Sequence, residues 1–215
     1  LDFEHMRKDV SKRHSFRPRR HEREAREKTT SSQHGSFPET GSGTGSTLLV
    51  AVPGAEDIVG GMRRRLDPSY AAMPAHITLL YPFVPASSIS PLLADKLREL
   101  LDRFEPFEFA LSEVAWFGNQ VVYLAPSPRA PFVELTSFIC AGFPEYPPYG
   151  GAFDEVVPHL LVGEGARPAR MRRAARRLEP YLPIRGFAAE VLLMAPGASG
   201  HWEVRETFPL GGACR

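Results

Sequence analysis

Apolar residues along this chain switch between a repeat of two, a repeat near 3.6 and short unbroken runs, and the switches divide it into elements. Leu48-Leu49-Val50-Ala51-Val52 is an unbroken run of strand length, and Pro53-Gly54 reads as a turn out of it. Ile58, Val59, Met62 and Leu66 then recur at helical spacing, with a stop expected at Asp67-Pro68. Arg63, Arg64 and Arg65 lie near that helix's C-terminus, where cations suit the dipole. Two short runs, His76 to Tyr81 between Pro74 and Pro82, and His159 to Val162 after Pro158, are rich in apolar and β-branched residues and read as strands.

Between them, Ser90 is a good N-cap and Pro91 a good first-turn residue for a helix whose stripe is Leu93, Leu97, Leu100, Leu101 and Phe104. Phe107, Phe109 and Leu111 alternate as a strand, and Val114 and Trp116 continue it out of phase, which predicts a bulge near Ser112-Glu113. Gly118-Asn119 turns the chain into Val121–Ala125 and so makes an antiparallel hairpin. A helix follows at about 131–141 with Phe132, Leu135 and Ile139 inward, then a loop dense in Gly, Pro and Tyr over 142–152. Pro168 opens an arginine-heavy helix with Met171, Ala174, Ala175 and Leu178 inward, and residues 187–194 and 201–208 make a closing hairpin.

The predicted class is α+β with two similar halves, each a histidine strand followed by a helix and a hairpin. The hairpins argue against a parallel barrel or a doubly wound nucleotide fold. No Gly-x-Gly-x-x-Gly, phosphate-loop, His-Glu-x-x-His or Gly-x-Ser-x-Gly sequence is present, which removes the common cofactor, kinase, zinc-protease and serine-hydrolase readings.

Composition sets the limits of this picture. A chain of 215 residues with 43% apolar content can fill one core. Residues 1–47 sustain no apolar period and run from Arg- and Glu-rich to Ser-, Thr- and Gly-rich, so they are expected to form a disordered arm and linker ahead of a single domain at 48–215. The net charge of +1 is uneven: the first 47 residues hold ten Lys and Arg against seven Asp and Glu, which leaves 16 against 18 for the rest. A domain so balanced does not suit a long duplex nucleic acid. Two cysteines, Cys140 and Cys214, are too few for a disulfide framework, and neither belongs to a Cys-x-x-Cys pair; a reducing compartment without zinc is expected. No apolar stretch approaches a membrane span and no secretory leader opens the chain, so the expectation is a cytoplasmic monomer that needs no membrane.

The candidate chemistry lies in the histidine strands. With a repeat of two, His76 and Thr78 share one face while Ile77 and Leu79 take the other; His159 and Leu161 share a face, opposite Leu160 and Val162. Two imidazoles at the same relative position in two strands suit a general base and a general acid. The competing role is structural, each histidine ending a strand and bonding to a neighbour.

His76-Ile77-Thr78-Leu79-Leu80-Tyr81-Pro82-Phe83 and Val157-Pro158-His159-Leu160-Leu161-Val162-Gly163 resemble the paired motifs of the two-histidine phosphoesterases, also known as 2′-5′ RNA ligase-like proteins, over approximately residues 48–210. The resemblance implies a bilobal fold with internal pseudo-twofold symmetry, two antiparallel sheets flanking a central cleft, and outer helices. It also implies metal-free, cofactor-free hydrolysis of a 2′,3′-cyclic or 2′-5′ phosphodiester on a small nucleotide or an RNA terminus. By resemblance His159 is the base and His76 the acid for opening a cyclic phosphate, and Thr78 binds the phosphate. Tyr81, Phe83, Phe117, Tyr149 and Trp202 are candidates to stack on a base.

The family pattern places a hydroxyl residue two positions after each histidine, and Leu161 departs from it. Loss of one oxyanion donor costs about 10²–10³ in rate, with Tyr149, Ser199, an arginine or a backbone N–H as possible substitutes. The departure, with the basic run Arg170–Arg177, also fits a non-catalytic module that binds a phosphate or an RNA end.

Overall fold

β1 (Thr47–Ala51) is the first strand of the fold, and packing begins just ahead of residue 48 because Ser46 and Thr47 are buried. The Ser46 hydroxyl donates to Val84 O at 2.8 Å, and the Thr47 hydroxyl to Leu80 O at 3.1 Å. The computed structural model describes residues 45–67, 73–153 and 155–211; the arm as far as residue 44, Pro68 and Cys214 lie outside them. Pro53-Gly54, read from sequence as a turn, is instead the opening of α1 (Pro53–Leu66). A proline at the first helical position loses no bond, since that N–H has no partner in the helix. β2 (His76–Leu80) follows. Ser90 then caps α2 (Pro91–Leu101) as expected, its Oγ accepting from Leu93 N at 3.3 Å. Ala94, Leu97 and Leu101 are the buried stripe of that helix, while Leu93, Leu100 and Phe104 are only half-buried.

β3 (Phe107–Phe117) and β4 (Val121–Ser127) form the predicted hairpin, with the register shifting between Leu111 and Glu113 where the out-of-phase pattern placed a bulge. α3 (Ala130–Gly142) buries Phe132, Leu135 and Ile139. β5 (Leu160–Glu164) and α4 (Pro168–Leu178) complete the second histidine segment, and Met171, Ala174, Ala175 and Leu178 are the residues α4 buries. The last part of the chain departs from its sequence reading. Residues 187–194 are not one strand: β6 (Ile184–Ala188) ends before β7 (Glu190–Pro196) begins, and only β7 pairs with β8 (Trp202–Pro209). β6 pairs with β3 in the other sheet, so the chain changes sheets at Ala189. A single run of alternating residues carries no mark of such a switch.

Among the described residues there are two four-stranded antiparallel sheets, ordered β2-β1-β7-β8 and β5-β4-β3-β6. The fold is α+β and bilobal, and each sheet has a histidine-bearing strand at one edge. Each lobe contains the same unit, strand, helix, histidine strand: β1-α1-β2 in one and β4-α3-β5 in the other. The hairpin that follows each histidine strand does not stay with it. α2 leads from β2 to the hairpin of the opposite sheet, and α4 leads from β5 to β6 in the same sheet and then to the β7–β8 hairpin of the other. The helices cross over as well, since α1 packs on β5 and α3 on β2.

One apolar core joins both sheets and all four helices, including Leu48, Ile77 and Leu79 from one sheet, Leu111, Leu124, Leu160 and Val162 from the other, and Val59, Leu97, Phe132 and Met171 from the helices. β2 and β5 therefore turn their even-spaced apolar residues inward and leave His76, Thr78 and Leu161, with His159 just ahead of β5, on the half-exposed faces. None of the helices in the described residues is long and apolar enough to cross a membrane.

Candidate active site

His76 opens β2 opposite Ala51, and Thr78 stands opposite Leu49. Directly opposed residues share a sheet face, so the wall beside His76 is the small apolar cluster Leu49, Leu192 and Met194, with Ala51, Met73 and Trp202 packed on it. The ring nitrogen Nδ1 of His76 lies 2.7 Å from Pro74 O. A carbonyl oxygen only accepts, so Nδ1 carries the proton and Nε2 is the basic nitrogen of the neutral ring. His159 repeats this device: its Nδ1 lies 2.7 Å from Val157 O. Each histidine is thus locked to the carbonyl two residues before it, and each presents the same nitrogen.

The surroundings differ. The His159 ring meets Phe117 edge-on at 5.1 Å and Tyr123 at 5.4 Å, and those two aromatic rings stack on each other at 4.3 Å. Around His76 the decisive neighbour is Arg63 of α1. Its side chain is only 2% exposed and its Nη1 donates to Met73 O at 3.1 Å. Burial, and next the Arg63 charge, push His76 down from the ordinary imidazole value of 6.5 to about 4, against the opposing pull of the Pro74 hydrogen bond. His159 lies close enough that its charge lowers His76 further. Burial also lowers His159, with the Val157 bond opposing. Both residues are half-buried overall.

The edge strands β2 and β5 lie against each other, and the charge of His159 is felt at His76 from the opposite sheet. Leu161 is paired with Tyr123 across the β4–β5 ladder. The Tyr123 phenol therefore shares a sheet face with the position where a hydroxyl is missing. Burial, with Glu113 adding and Arg129 opposing, raises its pKa, so it stays a hydrogen-bond donor through the neutral range. Among the described residues no group of three or more His, Cys, Asp or Glu is arranged to hold a metal ion.

The aromatic candidates separate into two groups. Tyr81 and Trp202 meet edge to face at 6.2 Å on the His76 side, and Phe117 stands beside His159. The Tyr149 N–H donates to Tyr81 O at 2.6 Å, while its ring packs on Phe153 in a dry setting that pushes its hydroxyl up to about 12. Phe83 is core, not site: it is 3% exposed and sits between Phe143 and Tyr146. Ser199 lies in the β7–β8 turn, its Oγ accepting from His201 N. Arg170, Arg172, Arg173, Arg176 and Arg177 are all exposed on α4.

Sequence reasoning missed Arg63, Glu56 and Tyr123. Arg63 falls on the same helical stripe as Val59 and Leu66, at i+4 and i+7 from Val59, which is the pattern that marks an inward position. Tyr123 alternates with Val121 on β4 and carried a similar signal. Nothing local pointed to Glu56, whose Oε2 accepts from Ala75 N at 2.6 Å.

The family described as the 2′-5′ RNA ligase superfamily matches residues 51–196. A candidate phosphoesterase of Bacillus anthracis is 31% identical over 167 residues, covering 73% of this chain and 90% of that protein. One from Bacillus thuringiensis is 30% identical over the same shares. Among solved structures, TT0787 of Thermus thermophilus is similar with a TM-score of 0.54 at 19% identity, over 78% of this chain and 98% of that one. LigT of E. coli, crystallised with NADP+, is similar with a TM-score of 0.51 at 18% identity, over 77% and 96%.

Proposed function

This chain belongs to the 2′-5′ RNA ligase superfamily and is a phosphoesterase of the two-histidine type, and from that premise we propose that it hydrolyses a 2′,3′-cyclic or 2′-5′ phosphodiester on a small nucleotide or an RNA end, without a metal ion. The observation that carries this reading is the matched anchoring of His76 and His159, each through Nδ1 to a carbonyl two residues back, with Nε2 as the basic atom and the His159 charge felt at His76. One imidazole takes a proton from water as the water oxygen bonds to phosphorus. The other gives a proton to the ribose oxygen as its bond to phosphorus breaks, leaving a phosphomonoester.

Electrostatics favour His76 as the base, the reverse of the order that the resemblance implies. The Arg63 charge disfavours protonated His76, so this ring is the one that stays neutral and ready to accept. The lowering of His159 comes from burial, with the Val157 bond opposing it, and this ring suits the acid role better. In this proposal the Thr78 hydroxyl donates to one non-bridging oxygen, and the Tyr123 phenol supplies the donor that Leu161 lacks. Tyr81, Trp202, Phe117 and Tyr149 offer apolar surface for a base. That a protein of similar fold, LigT, was crystallised with NADP+ is in keeping with a nucleotide-sized ligand.

Leu161 also supports a second reading, a module that binds a phosphodiester without cleaving it. Incubation with 2′,3′-cyclic nucleotides, a cyclic-phosphate-ended oligonucleotide and a 2′-5′-linked dimer, each with and without chelator, separates the two. Turnover that survives chelation is the expected result; binding with no turnover on any of the three favours the module.

A further inference from the structure

Resting on the reading of His76 as a catalytic imidazole, we propose that α1 carries a pair of positioning residues, Glu56 and Arg63, which hold His76 in its working place and set a positive charge beside it.

Met73, Pro74 and Ala75 lead the chain into His76. Met73 O accepts from Arg63 Nη1 at 3.1 Å, Pro74 O from His76 Nδ1 at 2.7 Å, and Ala75 N donates to Glu56 Oε2 at 2.6 Å. Ala75 O in turn accepts from Val52 N at 2.7 Å. Every residue of the approach is therefore tied, and two of the ties are charge-assisted bonds from one helix, the stronger kind of hydrogen bond. Glu56 and Arg63 are seven positions apart, two helical turns, so both project from one face.

Gly60 stands between them on that face. A Cβ built there meets the carboxylate of Glu56, and the nearest atoms all belong to Glu56. The missing side chain at 60 is thus the space through which Glu56 reaches Ala75. Arg63 is too buried to touch substrate and acts through the Met73 carbonyl and through its field on His76. The charged groups brought to bear on His76 are Arg63 from α1 and His159 from the other lobe, with Glu56 one residue back at Ala75 N. α1 also packs on β5, where Leu66 fills the place a side chain at Gly163 would take. One helix therefore braces both histidine strands.

The test combines imidazole NMR titration of the full chain with turnover, in Arg63→Met, Arg63→Lys, Glu56→Ala, Glu56→Gln and Gly60→Ala. Arg63→Met is expected to raise the His76 midpoint by about one unit or more toward 6.5, leaving His159 nearly unmoved, while Arg63→Lys keeps it low. Glu56→Ala and Gly60→Ala are each expected to lower kcat about tenfold or more with KM little changed, and Glu56→Gln, which keeps an acceptor oxygen, to recover most of it. Gly60→Ala is the sharpest arm, because the added methyl meets Glu56 and leaves the carboxylate itself in the chain, and a merely structural role predicts a loss of stability with kcat unchanged. An unmoved His76 midpoint in Arg63→Met, or unchanged kcat in Gly60→Ala and Glu56→Ala, would overturn the proposal. If the wild type turns over no phosphodiester, the functional reading fails, and the His76 midpoint still decides the part of the proposal that concerns Arg63.

Discussion

His76 and His159 each lock Nδ1 to the carbonyl two residues back, at the start of an edge strand, in a unit of strand, helix and histidine strand. Behind His76, α1 contributes Glu56 and Arg63 to the approaching chain. The corresponding helix before His159, α3, buries Phe132, Leu135, Thr136 and Ile139, and its one charged residue, Glu134, is exposed. His159 is instead held among the rings of Phe117 and Tyr123. The repeated scaffold gives two imidazoles the same pose, and the unrepeated surroundings give them different tendencies to carry a proton. A base and an acid need that difference.

Removing either ring is the coarsest way to break the comparison. His76→Ala and His159→Ala are each expected to lower turnover at least ~100-fold. An aryl phosphodiester whose leaving group needs no proton should restore much of the loss in His159→Ala and little in His76→Ala; rescue of His76→Ala instead would reverse the assigned roles.

The two donors come next. Thr78→Val and Tyr123→Phe are each expected to cost ~100-fold in kcat. Leu161→Thr should preserve or raise activity in the wild type, and should return activity to Tyr123→Phe. A Tyr123→Phe protein with full activity removes the phenol from the account.

The pH dependence of kcat/KM sharpens the same contrast with a smaller effect. The base must be neutral, so activity rises with pH through the His76 limb near 4. The acid must be protonated, so activity falls again above the His159 value, which lies below 6.5. The optimum of kcat/KM is therefore expected on the acid side of neutrality. An optimum well above 7 would mean that the stated surroundings do not govern the rings.

The smallest effect belongs to α4. Arg172, Arg173 and Arg176 are exposed while Met171 and Ala175 pack inward. Joint replacement by alanine is expected to leave kcat within about twofold, as measured on a cyclic nucleotide; a large loss would place this basic surface in substrate binding.

How much of this was legible in the sequence follows from the range over which each feature is encoded. The two faces of β2 and β5, the Ser90-Pro91 cap and the bulge in β3 follow from residues within a few positions of one another, and the alternation around them is enough to read them. The switch between sheets at Ala189 depends on which distant strand each half of the run meets, β3 or β1. A periodic pattern says that a residue is buried, not against what. Arg63 shows the limit best. Its place near a helix C-terminus has a sufficient local explanation in the dipole, and only the folded chain brings it to Met73 and His76.

The central claim is that both imidazoles address a single phosphorus. It is tested most directly by following the imidazole ¹⁵N signals of the wild-type chain during titration with a nucleoside 2′-phosphate, the phosphomonoester left when a cyclic phosphate opens. The account predicts that Nε2 of His76 and Nε2 of His159 shift together, with one dissociation constant and one ligand per chain. A shift confined to one ring, or two shifts with separate dissociation constants, would contradict it.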